Sequence, residues 1–246
     1  MFHTILYQPL FNLLIWLYNV IPGQDLGFAI IGISLLVRLA LWPLSRTSIK
    51  SQKALQDLQP KLEALKVEYK DNKEALAKAM MNLYKEEKVN PMSSCLPLLI
   101  QLPILWALYR VLNDGMNMDS LVNLYSFVAR PESINLNFLG FINLAEPYIV
   151  MAILAGILQF IQTKMLMAKR PPLSVRKDPG AKDEDMMAQM NKSMLYFMPV
   201  MTVVIGATLP GGLTLYWIIM NLFAILQQAL AFKKKKVETV AVAETK

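Results

Sequence analysis

The sequence predicts an all-α integral membrane protein, because its apolar residues are numerous and are grouped into long runs. Of its 246 residues, 55% are hydrophobic, which is above the average for soluble domains. A run of about 20 apolar residues is long enough to cross the ~30 Å hydrocarbon core of a bilayer. We therefore expect five transmembrane helices, at approximately residues 28–45, 94–113, 147–168, 194–209 and 213–232.

The uneven distribution of basic residues predicts the orientation of the chain. Residues 1–27 contain no Lys or Arg, segments 46–92 and 164–192 contain ten and seven, and the residues from 233 onward contain five. Basic residues concentrate in cytoplasmic segments, so we expect the N-terminus outside and the C-terminus inside. The net charge of +7 then reflects topology and an affinity for anionic lipids or RNA, and it does not indicate DNA binding.

The pattern of polar and apolar residues in positions 1–22 predicts an extracytoplasmic amphipathic helix. We expect this helix to lie on the membrane surface and to end at Pro22 and Gly23. Leucines fall on one side, and the polar residues expected on the other side are Thr4, Gln8, Asn12 and Asn19. A sixth span is the alternative, but it would reverse the orientation that the charges predict. A signal peptide is excluded because the segment lacks a basic start and a cleavage site of small residues.

Residues 47–89 predict a cytoplasmic hairpin of two helices. A 3-4-3-4 spacing typical of a coiled-coil seam runs through Leu55, Leu58, Leu62, Leu65 and Tyr69. We expect the turn at residues 70–73 and a kink at Pro60. Two heptads give a marginal coiled coil, so we expect the hairpin to be mobile.

The five-span core, with this hairpin inserted in it, covers residues 23–232, and residues 233–246 form a basic cytoplasmic tail. The tail begins with four consecutive lysines, Lys233–Lys236. Such a cluster is attracted to the anionic lipids of the inner leaflet and equally to the phosphates of ribosomal RNA. The sequence leaves both interpretations of the tail open.

Residues for covalent or metal-assisted catalysis are scarce. His3 is the only histidine and Cys95 the only cysteine, which excludes a disulfide within the chain and a His/Cys metal set. No phosphate-binding glycine loop or hydrolase nucleophile motif occurs. We therefore expect a protein that is not an enzyme and that uses no cofactor or metal.

Arg38 is the most informative single residue, because it lies inside the apolar run of residues 28–42. A charge at the centre of a spanning helix costs roughly 2.5–3.5 kcal/mol on insertion scales. The apolar segments contain no obvious carboxylate that could neutralise this arginine. The sequence therefore predicts that Arg38 faces a water-filled cavity within the membrane, with Ser34 one turn earlier on the same helix face.

Three sequence strings carry a resemblance to a known family. They are residues 90–109 (NPMSSCLPLLIQLPILWALY), residues 209–221 (LPGGLTLYWIIMN) followed by Gln227 and Gln228, and Val37-Arg38 followed by residues 42–45 (WPLS). These strings resemble the YidC/Oxa1/Alb3 family of membrane protein insertases, in the right order along nearly the whole chain. The chain looks like the compact form, without the large extracytoplasmic domain or the lipoprotein signal of some relatives.

The resemblance implies a hydrophilic groove that opens to the cytoplasm and to lipid and is closed to the outside. Trp217 falls where the family has an aromatic residue that contacts substrate, and other polar residues on the predicted spans fit such a groove. The expected groove residues are Arg38, Ser34, Gln101, Gln159, Gln162, Trp217 and Asn221. The alternative for the Gln and Asn side chains is hydrogen bonding between helices, which is common in membranes.

A substrate helix also needs an apolar surface along which it leaves the groove. Methionines recur at helical spacing from residue 186 to residue 201, and methionine adapts its shape to different partners. The expected exit surface consists of Tyr216, Met194, Met198 and Met201. Ordinary packing within the bundle is the alternative for the methionines.

The resemblance implies a bacterial inner-membrane protein, crossing the membrane several times, that inserts and folds newly made membrane proteins without ATP. The implied partners are nascent membrane proteins, anionic lipids, the Sec translocon and, with a short tail, only weakly the ribosome. Two other interpretations stay open, which are a chaperone that depends on Sec and a transporter of small solutes. A transporter would usually bring paired acids or an inverted repeat, and neither is visible.

Overall fold

The computed structural model describes residues 3–69, 72–90, 96–166 and 195–244, and this part of the chain is mostly helical. A turn of π-helix at His3–Tyr7 leads into the first α-helix. The α-helices are α1 (Gln8–Val20), α2 (Leu26–Ala40), α3 (Trp42–Glu68), α4 (Lys73–Glu86), α5 (Leu96–Gly115), α6 (Ile149–Leu166), α7 (Leu195–Gly206) and α8 (Gly211–Glu244). Between α5 and α6 lie a 3-10 helix (Met118–Asn123) and two short antiparallel strands, β1 (Asn137–Phe138) and β2 (Ile142–Asn143).

Each of the five predicted spans falls largely on one helix, which is α2, α5, α6, α7 or α8. Among the described residues, only Gly211–Ala231 of α8 is by itself long and apolar enough to cross a membrane. The pair formed by α2 and α3 passes the same test when taken together, while α6 and α7 are shorter apolar helices. The mostly helical fold is thus confirmed, whereas the number of spans stays a prediction.

The span predicted at residues 28–45 contains a break between two helices. The helix α2 ends at Ala40, and α3 begins at Trp42 with its axis turned by 66°. Pro43 explains the break, because proline lacks the N–H group that would continue α2 but suits the first turn of a new helix. The bend follows directly after Arg38.

The helix predicted in residues 1–22 is present as α1, but Asn12 does not lie on an exposed polar side as expected. Asn12 is only 3% exposed, whereas Trp16 and Val20 are exposed. The buried face of this first segment consists of Tyr7, Phe11, Leu14, Ile15 and Tyr18. The reason lies in the tertiary structure, because α1 packs against α2 and α5 and Asn12 binds a distant loop rather than water.

The predicted hairpin of residues 47–89 is present as α3 and α4. Leu58 and Leu62 of the predicted seam are buried, and Pro60 lies inside α3 without ending it. Asn72 caps α4, since its side-chain oxygen accepts a hydrogen bond from the Ala75 N–H at 3.0 Å. Residues 70 and 71 of the predicted turn lie outside the described residues.

The core of the bundle is formed by α1, α2, α5, α6 and α8, with α8 packed most extensively against α6 and α2. Close approach of α6 and α7 depends on glycine. A Cβ atom at Gly156 would lie 2.4 Å from the Val203 side chain, and one at Gly206 would lie 3.1 Å from Ala152. Side chains larger than hydrogen at these two positions would push α6 and α7 apart.

Candidate functional site

Arg38 lies in the last turn of α2 and points towards α8. Its Nη2 donates a 3.4 Å hydrogen bond to the Met220 carbonyl, and its Cζ lies 6.0 Å from the centre of the Phe223 ring. Its Nε is buried and has no hydrogen-bond partner among the described residues. A guanidinium offers five N–H donors, so this cation keeps unused donors for water or for an anionic ligand.

Trp42 and Phe223 form an aromatic wall beside Arg38. Their rings meet edge to face with centres 5.7 Å apart, just where the bend between α2 and α3 turns the chain. Lys61 and Glu87 form an ion pair in the hairpin, whereas Arg38 forms no salt bridge with any described residue. Arg38 is therefore not neutralised by a carboxylate of the described residues.

Gln101 and Tyr216 add polar groups from two further helices. The Gln101 amide nitrogen donates a 2.5 Å hydrogen bond to the Tyr216 hydroxyl oxygen, which joins α5 to α8. Tyr216 lies one turn before Met220 on α8 and is 1% exposed. Arg38, Gln101 and Tyr216 thus converge on one face of α8. The expected place of Tyr216 on an exposed exit surface does not agree with its burial.

Ser34 is placed inside the bundle rather than on an open surface. Its side chain is fully buried, and its hydroxyl donates a 2.5 Å hydrogen bond to the Ile30 carbonyl of its own helix. Such bonding one turn back is a common way for a helical serine to satisfy its hydroxyl. Ser34 therefore has no exposed hydroxyl to offer to a groove.

Gln159 and Asn221 form hydrogen bonds between helices. Gln159 of α6 accepts a 3.0 Å bond from the Thr202 hydroxyl of α7, and Asn221 of α8 donates a 3.3 Å bond to the Ala155 carbonyl of α6. Their amides hold α6, α7 and α8 together, as polar side chains often do in membrane bundles.

The remaining predicted residues are distributed over α6, α7 and α8. Gln162 and Trp217 are half-buried, and Trp217 lies one turn before Asn221, away from the face that carries Tyr216. Met198 is exposed and Met201 is half-buried on α7, while Met194 lies outside the described residues. The predicted groove residues therefore divide between two faces of α8.

Sequence reasoning missed several residues of the site. Met220 and Phe223 contact Arg38. They follow Tyr216 by four and seven residues, and this helical spacing could have placed them on the same face of α8. Gln228 is buried, and its side-chain oxygen has no partner among the described residues. Arg110, a second arginine within a predicted span, is exposed on α5 with its Cζ 5.4 Å from the centre of the Trp106 ring.

One end of the bundle, which we call the loop end, is closed by residues 114–146. The closing side chains are Asn12, Tyr18 and Asp25, which we call the loop-end clamp. Asn12 accepts a bond from the Tyr125 N–H at 2.6 Å. Tyr18 donates to the Ser133 carbonyl at 3.1 Å and accepts from the Asn135 N–H at 2.8 Å.

Asp25 is the third member of the clamp, and it caps α2. Its two carboxylate oxygens accept hydrogen bonds from the Gly27 N–H at 2.7 Å and from the Leu139 N–H at 2.9 Å. The start of α8 is tied to the same loop, because Gly211 donates to the Glu146 carbonyl at 2.9 Å. The loop end is therefore a continuous hydrogen-bonded cover.

Tyr7 ties the N-terminal segment to the end of α5. Its hydroxyl donates a 2.7 Å hydrogen bond to the Asp114 carboxylate. Burial, and then this bond, raise the pKa of Tyr7 well above its usual range. The phenol therefore stays protonated as a donor at every physiological pH.

Large apolar side chains such as Leu102, Ile153 and Leu226 are exposed on the outside of the bundle, which is typical of a helical membrane protein. Residues 16–238 match the family described as "60Kd inner membrane protein". The chain belongs to this family of bacterial inner-membrane proteins, which confirms the resemblance seen in the sequence.

Similar proteins with curated names include three called "Membrane protein insertase YidC". The chain is 36% identical to the one from Shewanella halifaxensis over 91% of its own length. It is 32% identical to the one from Nitrosococcus oceani over 92% of its length. It spans only 36% of each of these two relatives. The relative from Fusobacterium nucleatum is 36% identical, and the match covers 85% of this chain and 87% of that protein.

A solved structure has the same fold. It is described as "Active YidC insertase crystal structure with the first transmembrane domain resolved". The match has a TM-score of 0.57 and 26% sequence identity, and it covers 92% of this chain and 46% of that one. The likeness extends over nearly the whole bundle.

Proposed function

We propose that this chain inserts and folds newly made integral membrane proteins without ATP, through a groove that begins at Arg38. The observation that carries the proposal is the half-buried Arg38 in the last turn of α2, whose buried Nε has no hydrogen-bond partner among the described residues. The names of the relatives support it, although the chain spans about a third of the length of two of them. The proposed substrate is a nascent membrane protein with a short acidic segment.

We further propose five spans with the N-terminus outside. The support is that α1, which is predicted to lie outside, meets residues 114–146 at the loop end, whereas the basic hairpin lies beyond the bend at Leu41. Large apolar side chains are exposed along the outward faces of the helices, where lipid rather than water would cover them. Among them are Leu35, Leu39, Leu102, Ile153, Ile157, Val204, Leu222 and Leu226.

The groove runs from Arg38 past Gln101 and the aromatic wall of Trp42 and Phe223. It is closed at the loop end by the clamp and is open at the hairpin end. Ser34, Gln159 and Asn221 support it by hydrogen bonds within and between helices. Gln162 and Trp217 are proposed to contact substrate from α6 and α8, while Met198 and Met201 form its exit surface on α7.

Simple energetics show why no ATP is required. A 20-residue apolar helix gains about 6–12 kcal/mol on entering the bilayer, at roughly 0.3–0.6 kcal/mol for each Leu-like residue. Each translocated charge costs roughly 2.5–3.5 kcal/mol on the same scale. A water-filled half-channel shortens the dry path, and the membrane potential favours outward movement of a negative charge by ~2.3 kcal/mol per 100 mV.

Partners and cofactors follow from the same proposal. Anionic lipids of the inner leaflet and the phosphates of ribosomal RNA attract the basic residues of the hairpin side. The Sec translocon is a proposed partner for substrates whose translocated parts are too long or too charged for this route. The proposed activity uses no cofactor and makes or breaks no covalent bond.

The test is insertion into liposomes that contain the purified protein alone. A single-span substrate with an acidic N-terminal tail is added, and the fraction of tail protected from protease is measured. We expect protection that requires the protein, falls about tenfold in Arg38→Ala, which is about 1.4 kcal/mol, and is partly kept in Arg38→Lys. The matched control is Arg130→Ala, since Arg130 is an exposed arginine of the outer loop.

Two results would contradict the proposal. Equal protection in Arg38→Ala and Arg130→Ala would remove Arg38 from the insertion step. No protection with any variant would favour a chaperone that acts only together with the Sec translocon.

A further inference from the structure

The two-stranded hairpin between α5 and α6 displays apolar side chains at its tip. Asn137 pairs with Asn143, and Phe138 pairs with Ile142, which leaves residues 139–141 as the tip. Leu139 is 53% exposed and Phe141 is 71% exposed. Water would favour polar residues at such a tip.

The backbone of the tip is held in an unfavourable conformation. Leu139 has a φ of +55° and Gly140 has a φ of +83°, in the left-handed region. This region costs a leucine roughly 1–2 kcal/mol because of its Cβ. Such strain persists only where the surrounding structure enforces it.

Asp25 enforces this conformation from the start of α2. Its carboxylate accepts the Leu139 N–H at 2.9 Å while it also caps α2 through the Gly27 N–H. The neighbouring Phe138 ring packs so tightly on Gly27 that a Cβ atom there would lie 2.0 Å from it. The tip is therefore fixed to the first turn of α2 rather than free to turn inward.

The position of the hairpin links it to the outward face of α2. The Phe138 ring meets the Phe28 ring edge to face, with centres 5.5 Å apart, and Phe28 is exposed. Leu35 and Leu39 follow Phe28 on the same side of α2 at seven and eleven residues, and both are exposed. The apolar tip thus continues the stripe by which α2 would face lipid.

We propose that Leu139 and Phe141 insert into the outer leaflet, at the boundary between lipid headgroups and acyl chains. The occupant of this surface is lipid, because the surface is continuous with the exposed apolar stripe of α2. The tip anchors the loop-end cover to the bilayer at the depth of Phe28, so that the cover stays in place while substrates move below it. This inference rests on the membrane topology proposed above.

The test measures the depth of three nitroxide spin labels in bilayers. Cysteines are introduced singly by Phe141→Cys, Leu35→Cys and Glu132→Cys into a Cys95→Ser chain. The purified protein is reconstituted in vesicles of phosphatidylethanolamine and phosphatidylglycerol. Collision of each label with oxygen, which concentrates in lipid, is compared with collision with a water-soluble nickel chelate. Leu35 is the lipid reference, and Glu132, exposed in the same loop, is the water reference.

We expect the oxygen-to-nickel ratio at position 141 to exceed that at position 132 severalfold and to approach that at position 35. A label at position 141 that behaves like position 132, while position 35 is in lipid, would overturn this inference and leave the spans intact. A label that is shielded from both reagents would show contact with a second copy of the chain, which would also overturn it. A water-exposed label at position 35 would instead contradict the proposed topology.

Discussion

The loop end and the hairpin end of the bundle are held together in different ways. At the loop end, Asn12, Tyr18 and Asp25 each bind backbone N–H groups of residues more than 110 positions away. At the hairpin end, α3 and α4 share the buried Leu58 and Leu62 and an exposed ion pair. Buried hydrogen bonds to the backbone fix geometry, whereas a small apolar contact between two helices does not.

This difference indicates which end of the molecule opens. Regions with few buried contacts open at low free-energy cost, so we expect the hairpin to be the part that moves aside for a substrate. The clamp instead makes a seal whose opening would expose several unpaired backbone groups. The proposed half-channel needs one closed and one movable end, and the clamp and the hairpin are the ends that we propose for these two roles.

The largest expected effect comes from removing the carboxylate of Asp25. Asp25→Ala would leave two backbone N–H groups without their acceptor and would remove the cap of α2. We expect a loss of about 2–4 kcal/mol in the free energy of unfolding, with faster hydrogen exchange at residues 135–141. Thermal unfolding in detergent micelles and hydrogen exchange measure the two effects.

The matched control for this prediction is Asp119→Ala. Asp119 is an exposed carboxylate of the same loop, and we expect its removal to change stability by less than about 0.5 kcal/mol. Equal losses in the two variants would show that the clamp does not hold the loop end.

A smaller and more local effect is expected in the hairpin. Leu62→Ala removes a buried leucine, which typically costs at least about 2 kcal/mol. Because α4 packs on α3 and not substantially on the rest of the bundle, we expect faster hydrogen exchange across α4 and the part of α3 that faces it, while exchange in α6 and α8 is unchanged. If Leu62→Ala lowered the stability of the entire bundle, the hairpin would not be the separate, movable part.

The raised pKa of Tyr7 predicts that the free energy of unfolding depends on pH. Its pKa is raised in the folded state above the ordinary value of 10.0, so the folded state holds the phenol proton more tightly than the unfolded state. The stabilisation is complete below pH 10 and is lost as the pH rises above it. Tyr7→Phe should cost about 1 kcal/mol at pH 8.

The same variant tests the sign of this dependence. The wild-type protein should lose stability between pH 10 and pH 11.5, and Tyr7→Phe should lose less over the same interval. Unfolding followed by circular dichroism at several alkaline pH values measures the difference. Identical pH profiles would show that the bond to Asp114 does not contribute to the seal.

The smallest effect is expected for the ion pair of Lys61 and Glu87. Both side chains are substantially exposed, and exposed pairs contribute roughly 0–1 kcal/mol. We expect a double-mutant cycle of Lys61→Ala and Glu87→Ala to give a coupling below about 0.5 kcal/mol in hydrogen exchange of the hairpin. A coupling above about 2 kcal/mol would mean that this pair locks α3 and α4 to each other.

The sequence predicted the parts of the fold that depend on local patterns. Apolar runs predicted α5, α6, α7 and α8, and the leucine spacing predicted the hairpin. The break at Leu41 also had a local signal in Pro43. The burial of Asn12 had none, because its partner Tyr125 lies 113 residues further along the chain.

The candidate site shows the same limit. Arg38 stood out because a charge in an apolar run is unusual whatever surrounds it. Gln101, Gln159 and Asn221 are similar amides on similar helices, and only their neighbours separate them. Gln101 meets Tyr216 near Arg38, whereas the other two hold α6 to α7 and α8.

The next experiment should ask from which side water reaches Arg38. Phe223→Cys, in a Cys95→Ser chain, places a thiol beside the intact guanidinium, and a charged thiol reagent is added to either face of oriented vesicles. We predict reaction from the hairpin side only, while a thiol from Glu132→Cys reacts from the loop side only. Reaction at position 223 from the loop side would contradict a groove that is sealed by the clamp.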